Sequence, residues 1–301
     1  MSSYLFPHFT DGENGDRECV WFAVSRDGLN WTDLGSDEPI LYSQKGTTGI
    51  RDPFILYDEK RKKYVIIATD LCTVKGGSWE DFSARGSRNL VVWESDDLMS
   101  WSEERLVEVG VPEAGCVWAP EAVYCREKES WFVFWASRVK DKQRIYGSFT
   151  ENFTDFTPAF LYIDAATDVI DTNIILDGEY YYRFSKDETN KTITVERCKK
   201  LVPDEGEKFE RLSCELLDDF YGLEGPEAYQ LPDGRWCLMA DQYHTKGGYL
   251  PMICEELSKA DFRIPDKDSY YMGKRIKRHG SIIKISDEKA EELISFYGKA
   301  E

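Results

Sequence analysis

Arg51-Asp52-Pro53-Phe54-Ile55-Leu56 opens a short apolar run with an acidic residue beside a proline, small or polar residue, and the pattern returns three times. The other copies are Trp118-Ala119-Pro120-Glu121-Ala122-Val123-Tyr124, Ile170-Asp171-Thr172-Asn173-Ile174-Ile175 and Leu223-Glu224-Gly225-Pro226-Glu227-Ala228-Tyr229. They recur about one supersecondary unit apart, the interval at which β-propeller blades repeat. If each run is the innermost strand of a blade, carboxylates from distant positions converge on one axis. Acid/base chemistry on a sugar requires that arrangement.

The sequence around these openings reads as strand. Residues 19–25, 63–69, 89–95, 131–137, 180–184 and 235–240 are rich in β-branched and aromatic residues, and polar turn clusters bound most of them. Asp177-Gly178 and Asp233-Gly234 read as hairpin turns. A weaker repeat links Ser25-Arg26-Asp27-Gly28-Leu29-Asn30-Trp31 to Ser95-Asp96-Asp97-Leu98-Met99-Ser100-Trp101, and it fits an outer-blade turn whose Trp packs back on the sheet. Only the tail reads as helix, with Ser286 as N-cap and Ala290, Leu293, Ile294 and Tyr297 on one face. Four openings make four blades. A fifth closes the ring if the run Arg278-His279-Gly280-Ser281-Ile282-Ile283-Lys284-Ile285 is its innermost strand and the N-terminal strands lie outside it. Pairing the two termini within one blade protects edges that would otherwise stand open. The expectation is an all-β, five-bladed β-propeller with a short C-terminal helix, occupying residues 1–301 as one domain.

Composition narrows the partners. A net charge of −18 argues against nucleic acid or an anionic membrane surface, and it is compatible with a neutral ligand. Aromatic residues make up 14% of the chain, enough to fill sheet cores and also to line a carbohydrate cleft. None of the eight cysteines forms a C-x-x-C pair, so a zinc ribbon or redox motif is not indicated. The start Met1-Ser2-Ser3-Tyr4-Leu5-Phe6-Pro7-His8 lacks a basic region followed by an apolar one, and no apolar stretch is long enough to span a bilayer. A cytoplasmic protein with reduced thiols is expected.

Taken in order, Arg51-Asp52-Pro53, Trp118-Ala119-Pro120-Glu121, Ile170-Asp171, Glu224-Gly225-Pro226 and His279-Gly280-Ser281 resemble the successive blade openings of glycoside hydrolase family 43. The resemblance runs essentially the full length. It implies an inverting glycosidase with Asp52 as general base, Asp171 orienting the acid and adjusting its pKa, and Glu224 as general acid. On that reading an ionised Asp171 raises Glu224 by like-charge repulsion and keeps it protonated near neutral pH. The same resemblance implies a structural calcium or other divalent cation near the axis, which His279 would face through water. Trp118, Glu121, Arg278 and, from a Gly-rich loop over the cleft, Trp79 are the candidate sugar contacts. Two features depart from the commonest pattern: about fifty residues precede the base-bearing opening, and the third blade reads Asp171-Thr172 where Asp-Pro is common.

The activity implied is exo-release of terminal α-L-arabinofuranosyl units from small xylan- or arabinan-derived oligosaccharides, with β-D-xylosidase the near alternative. Two other classes compete: a propeller that binds sugar without cleaving it, and a phosphorylase. The latter would need a cluster of basic residues at the mouth, for which Arg51 is the evident candidate among the acidic openings.

Overall fold

The computed structural model describes residues 2–11, 18–35 and 38–299. Its strands form five antiparallel sheets arranged as propeller blades. The closing blade holds β1 (Ser2–His8), β2 (Trp21–Ser25) and β3 (Trp31–Asp33). Blade one runs β4 (Ile50–Asp58), β5 (Lys63–Asp70), β6 (Asn89–Ser95) and β7 (Arg105–Glu108). Blade two runs β8 (Trp118–Cys125), β9 (Ser130–Val139), β10 (Lys142–Thr150) and β11 (Phe160–Ile163). Blade three runs β12 (Val169–Asp177), β13 (Tyr180–Asp187), β14 (Thr192–Cys198) and β15 (Glu210–Leu212). Blade four has β16 (Glu224–Gln230), β17 (Trp236–Asp241) and β18 (Tyr249–Cys254), and β19 (Ile283–Ser286) returns to pair with β1.

The ring closes as the two ends of the sequence implied. The C-terminal run lies along β1 on its axial side: Arg278 N–H donates to Phe9 O (3.0 Å) and Ser281 N–H to Pro7 O (3.1 Å). Ser281 Oγ then bonds the innermost strand of blade one, accepting from Ile55 N (2.8 Å) and donating to Pro53 O (3.2 Å). The first and last blades are thereby tied through the axis as well as through the sheet.

Each sheet is buried on both faces, so the core consists of five clusters, one between each pair of neighbouring blades. Consecutive residues of β5 show the alternation directly: Val65 and Ile67 face blade two, while Ile66 and Ala68 face the closing blade. This is why the strands read as continuous apolar runs. Helix α3 (Asp287–Tyr297) covers the seam between the closing blade and blade one, burying Ala290 and Leu293. Its cap is the expected one, with Ser286 Oγ accepting from Lys289 N (3.1 Å).

The outer turn recurs once more than its sequence shows. Asp27 and Asp97 carboxylates accept the backbone N–H groups two and three residues on, and Asn152 Oδ1 does the same for Thr154 and Asp155. Thr, Asn and Phe156 replace Ser, Asp and Trp in this third copy, with the same bridge from Thr150 to Phe156. Two further helices correct the reading that only the tail is helical. The first is α1 (Trp79–Arg85), capped by Ser78, which accepts from Asp81 N (3.1 Å); the second is α2 (Glu215–Asp219). Both are too short for apolar periodicity to register, and Trp79 opens α1 rather than sitting in a loop.

Candidate active site

The repeated openings share one backbone device. In blades one to four the inner strand breaks register with its neighbour at residues 51/54, 118/121, 170/172 and 224/227. At each break one residue takes left-handed backbone: Asp52 (φ 50°), Ala119 (φ 46°), Asp171 (φ 46°) and Gly225 (φ 54°). Such bulges end ladder pairing and re-aim side chains. Asp tolerates this region better than most non-glycine residues, and glycine adopts it freely. Gly225 is required on a second count, because a Cβ there would lie 2.7 Å from the His279 ring.

The bulges sort the side chains into layers. The residues just before them and their equivalent in the closing blade, Arg51, Trp118, Ile170, Glu224 and Arg278, all line one cavity of about 760 Å³ on the axis. Asp52, Asp171 and His279 form part of its lining, and all five blades contribute to its walls. Helix α1 supplies a rim: Trp79 is exposed, with its ring edge-on to Trp118 at 6.0 Å. Glu80 anchors this helix to blade two through Arg138 Nη1 (2.5 Å).

Three carboxylates meet here, each held by different partners. Thr69 Oγ accepts from Ala119 N (2.8 Å), so its proton is directed to Asp52 Oδ2 (2.7 Å). His279 Nδ1 stands 3.5 Å from Asp52 Oδ1 and 3.9 Å from Asp171 Oδ2. Asp171 Oδ2 also accepts from Gly225 N (3.1 Å). Glu224 Oε2 takes the Lys186 ammonium at 2.8 Å, and its Oε1 lies 3.4 Å from Arg278. Arg278 is braced in turn by Asp241 (2.7 Å) and Asp11 (2.9 Å).

The electrostatics reverse the expected order of the pair. Burial, with the Glu224 and Asp52 charges behind it, pushes Asp171 up to about 6 against the pull of His279 and Lys186. Burial alone would also raise Glu224, but Lys186, Arg278 and Arg51 outweigh it and hold Glu224 below the usual carboxylate range. The two carboxyls are thus shifted in opposite directions, Asp171 up and Glu224 down, against the expectation that Asp171 raises Glu224. Its distance to the cations decides this, and no opening motif contains Lys186.

Glu121 is a second correction. It lies two residues past its bulge, one layer beneath the cavity, where it is buried and does not contribute to the wall. Asn173 Nδ2 donates to both Glu121 Oε2 (2.9 Å) and Glu227 Oε2 (2.8 Å), while Glu227 Oε1 accepts from Ile282 N (2.7 Å). Trp118, Trp79 and Arg278 do line the cavity, as their positions in the sequence implied. Lys186, Tyr243, Glu188, Arg138 and Asp11 were not foreseen as lining residues. Among the described residues no three carboxylate, imidazole or thiolate groups converge as a direct metal-ligand set.

A family model described as "Probable glycosyl hydrolase domain", of the family 43-related type, matches residues 1–291. The chain belongs to this family. As a family 43-type glycoside hydrolase domain, it is 28% identical over 259 residues to an α-L-arabinofuranosidase of Bifidobacterium longum subsp. longum. The match covers 74% of this chain and 24% of that protein, so the chain spans about a quarter of its relative's length. Solved structures share the fold. An exo-β-1,3-galactanase from Phanerochaete chrysosporium superposes with a TM-score of 0.64 at 11% identity, covering 89% of this chain and 61% of the other. The catalytic domain of a family 62 α-L-arabinofuranosidase from Coprinopsis cinerea gives 0.54 at 15%, covering 81% and 74%.

Proposed function

We propose that the domain is an inverting exo-glycosidase that releases terminal α-L-arabinofuranosyl residues from small arabinoxylan- or arabinan-derived oligosaccharides. Asp52 is the general base, Glu224 the general acid, and Asp171 the partner that stores and returns the proton. The observation that carries this reading is the convergence of these three carboxylates in one cavity, each from a different blade.

The reaction moves two protons. Asp52 takes one from the water whose oxygen bonds to the anomeric carbon. The glycosidic C–O bond breaks as the leaving oxygen takes a proton from Glu224, and the sugar departs with inverted configuration. Asp171 and Glu224 titrate as a pair, so the reactive form needs only one proton between them, whichever carries it at rest. The curated relative's name favours arabinose. β-D-Xylosidase activity is the second reading, because the two sugars can present similar hydroxyls and anomeric centres.

Basic residues do reach the cavity, as phosphorolysis would need, but each is neutralised by a carboxylate. Arg51 pairs with Glu18 (2.9 Å), Arg138 with Glu80 (2.5 Å), Lys186 with Glu224 (2.8 Å) and Arg278 with Asp241 (2.7 Å). A panel of 4-nitrophenyl glycosides in phosphate-free buffer tests the substrate assignment. The expected result is turnover of the α-L-arabinofuranoside at least tenfold above the β-D-xyloside, unchanged by added phosphate. Equal turnover of the two, or release that depends on phosphate, would overturn it.

A further inference from the structure

We propose that Lys186 is a positioning residue for the acid, holding the Glu224 carboxylate toward the cavity beside Asp171. This rests on the reading of Glu224 as the acid. Lys186 sits opposite Ile170 in the β12–β13 register, beside the bulge that turns Asp171. The bulge brings both side chains to the same wall of the cavity. From there the ammonium reaches across to blade four, donating to Glu224 Oε2 at 2.8 Å while Glu188 Oε2 holds it at 2.7 Å. The Tyr243 ring, 4.2 Å away, covers the remaining side. Lys186 is only 2% exposed, so solvent does little to screen this pairing.

The charges around Glu224 come from every neighbouring element. Lys186 and Glu188 approach from β13 and the turn after it, Asp171 from β12, Arg278 from the C-terminal inner run, and Arg51 from β4. Asp241 on β17 and Asp11 stand behind Arg278. Among the cations of the described residues, Lys186 alone is within 3 Å of Glu224, and it acts on Asp171 as well. Burial opposes its charge, yet Glu224, Asp171 and Glu188 outweigh that, so it stays an ammonium throughout the working pH range.

The test is the alkaline limb of kcat/KM, which reports loss of the last proton from the Asp171–Glu224 pair in the free enzyme. On a phenyl glycoside, which needs the acid, the wild-type limb is expected near pH 6. Lys186→Met removes a positive charge that lowers both carboxyls, so its limb should move up by about one pH unit or more. Lys186→Arg keeps the charge and should stay near wild type. Glu188→Gln, at the partly exposed rim, leaves Lys186 to Glu224 alone and should move the limb the opposite way, which provides a reading if Lys186→Met does not fold. On a dinitrophenyl glycoside, which departs without a proton, these shifts should vanish. Limbs that coincide in all variants would overturn the proposal. If Glu224→Gln is equally impaired on both substrates, the assignment of the acid falls first, and that outcome is distinct from failure of Lys186.

Discussion

Replacing Glu224 by glutamine is expected to lower kcat/KM on phenyl or oligosaccharide substrates by about 10²–10⁴-fold, the usual contribution of a general acid. On a dinitrophenyl glycoside the same variant should lose less than about tenfold, because that leaving group needs no proton. The contrast follows from position. Glu224 is the residue just before the bulge in blade four, so its side chain enters the cavity instead of the inter-blade core. Glutamine is nearly isosteric and can still accept from Lys186, so the pocket should survive while the transferable proton is lost. A uniform loss on both substrates would mean that Glu224 orients the sugar without protonating it.

The second large effect concerns stability and lies below the site. Glu121 and Glu227 are both buried on the axis and share the amide of Asn173. Burial, reinforced by the Glu227 charge, drives Glu121 well above its ordinary value, and burial pushes Glu227 up to about 8. Both folded-state values lie above the unfolded ones, so the native state binds the extra protons. The stability this supplies is full below about pH 4.5 and is lost as pH rises through about 8, at up to about 1.4 kcal/mol per pH unit for each group. Glu121→Gln keeps an acceptor for Asn173, removes one titrating group and ends the like-charge repulsion. Its melting temperature should therefore decline less than that of the wild type between pH 6 and pH 9, and exceed it by several degrees at pH 9. Some decline will persist, because Asp241 is likewise raised by burial, against the pull of Arg278. Parallel melting curves for the two proteins would show that the pair does not titrate in this way.

The architecture was legible because it repeats. In blades one to four the inner strand breaks register at a bulge. The residues suited to that bulge, Asp52-Pro53, Ala119-Pro120, Asp171-Thr172 and Gly225-Pro226, leave a visible period in the sequence. The same period located Asp52, Asp171 and Glu224 on one cavity. What lay between the repeats was harder to read. Glu121 sits in its motif two residues beyond the bulge, and that small offset moves it from the cavity wall to the layer beneath. Strand alternation cannot be carried across an inserted residue whose presence is unknown, since a one-residue slip sends a side chain to the other face. Lys186 was hidden for a related reason. Whether the lysine in Tyr180-Tyr181-Tyr182-Arg183-Phe184-Ser185-Lys186-Asp187 points to solvent or axis depends on the bulge in the neighbouring strand. The opposite shifts of Asp171 and Glu224 have the same origin, because the ammonium 2.8 Å from Glu224 outweighs like-charge repulsion there.

In the proposed reaction Asp52 and Glu224, on non-consecutive blades, act on opposite faces of one sugar. The most direct test is the anomer formed first, followed by proton NMR during early turnover of an aryl α-L-arabinofuranoside, before mutarotation mixes the signals. With inversion, β-L-arabinofuranose appears first and the α anomer grows in only as the sugar equilibrates. Appearance of the α anomer first would mean net retention, which rules out Asp52 and Glu224 acting as base and acid in a single displacement.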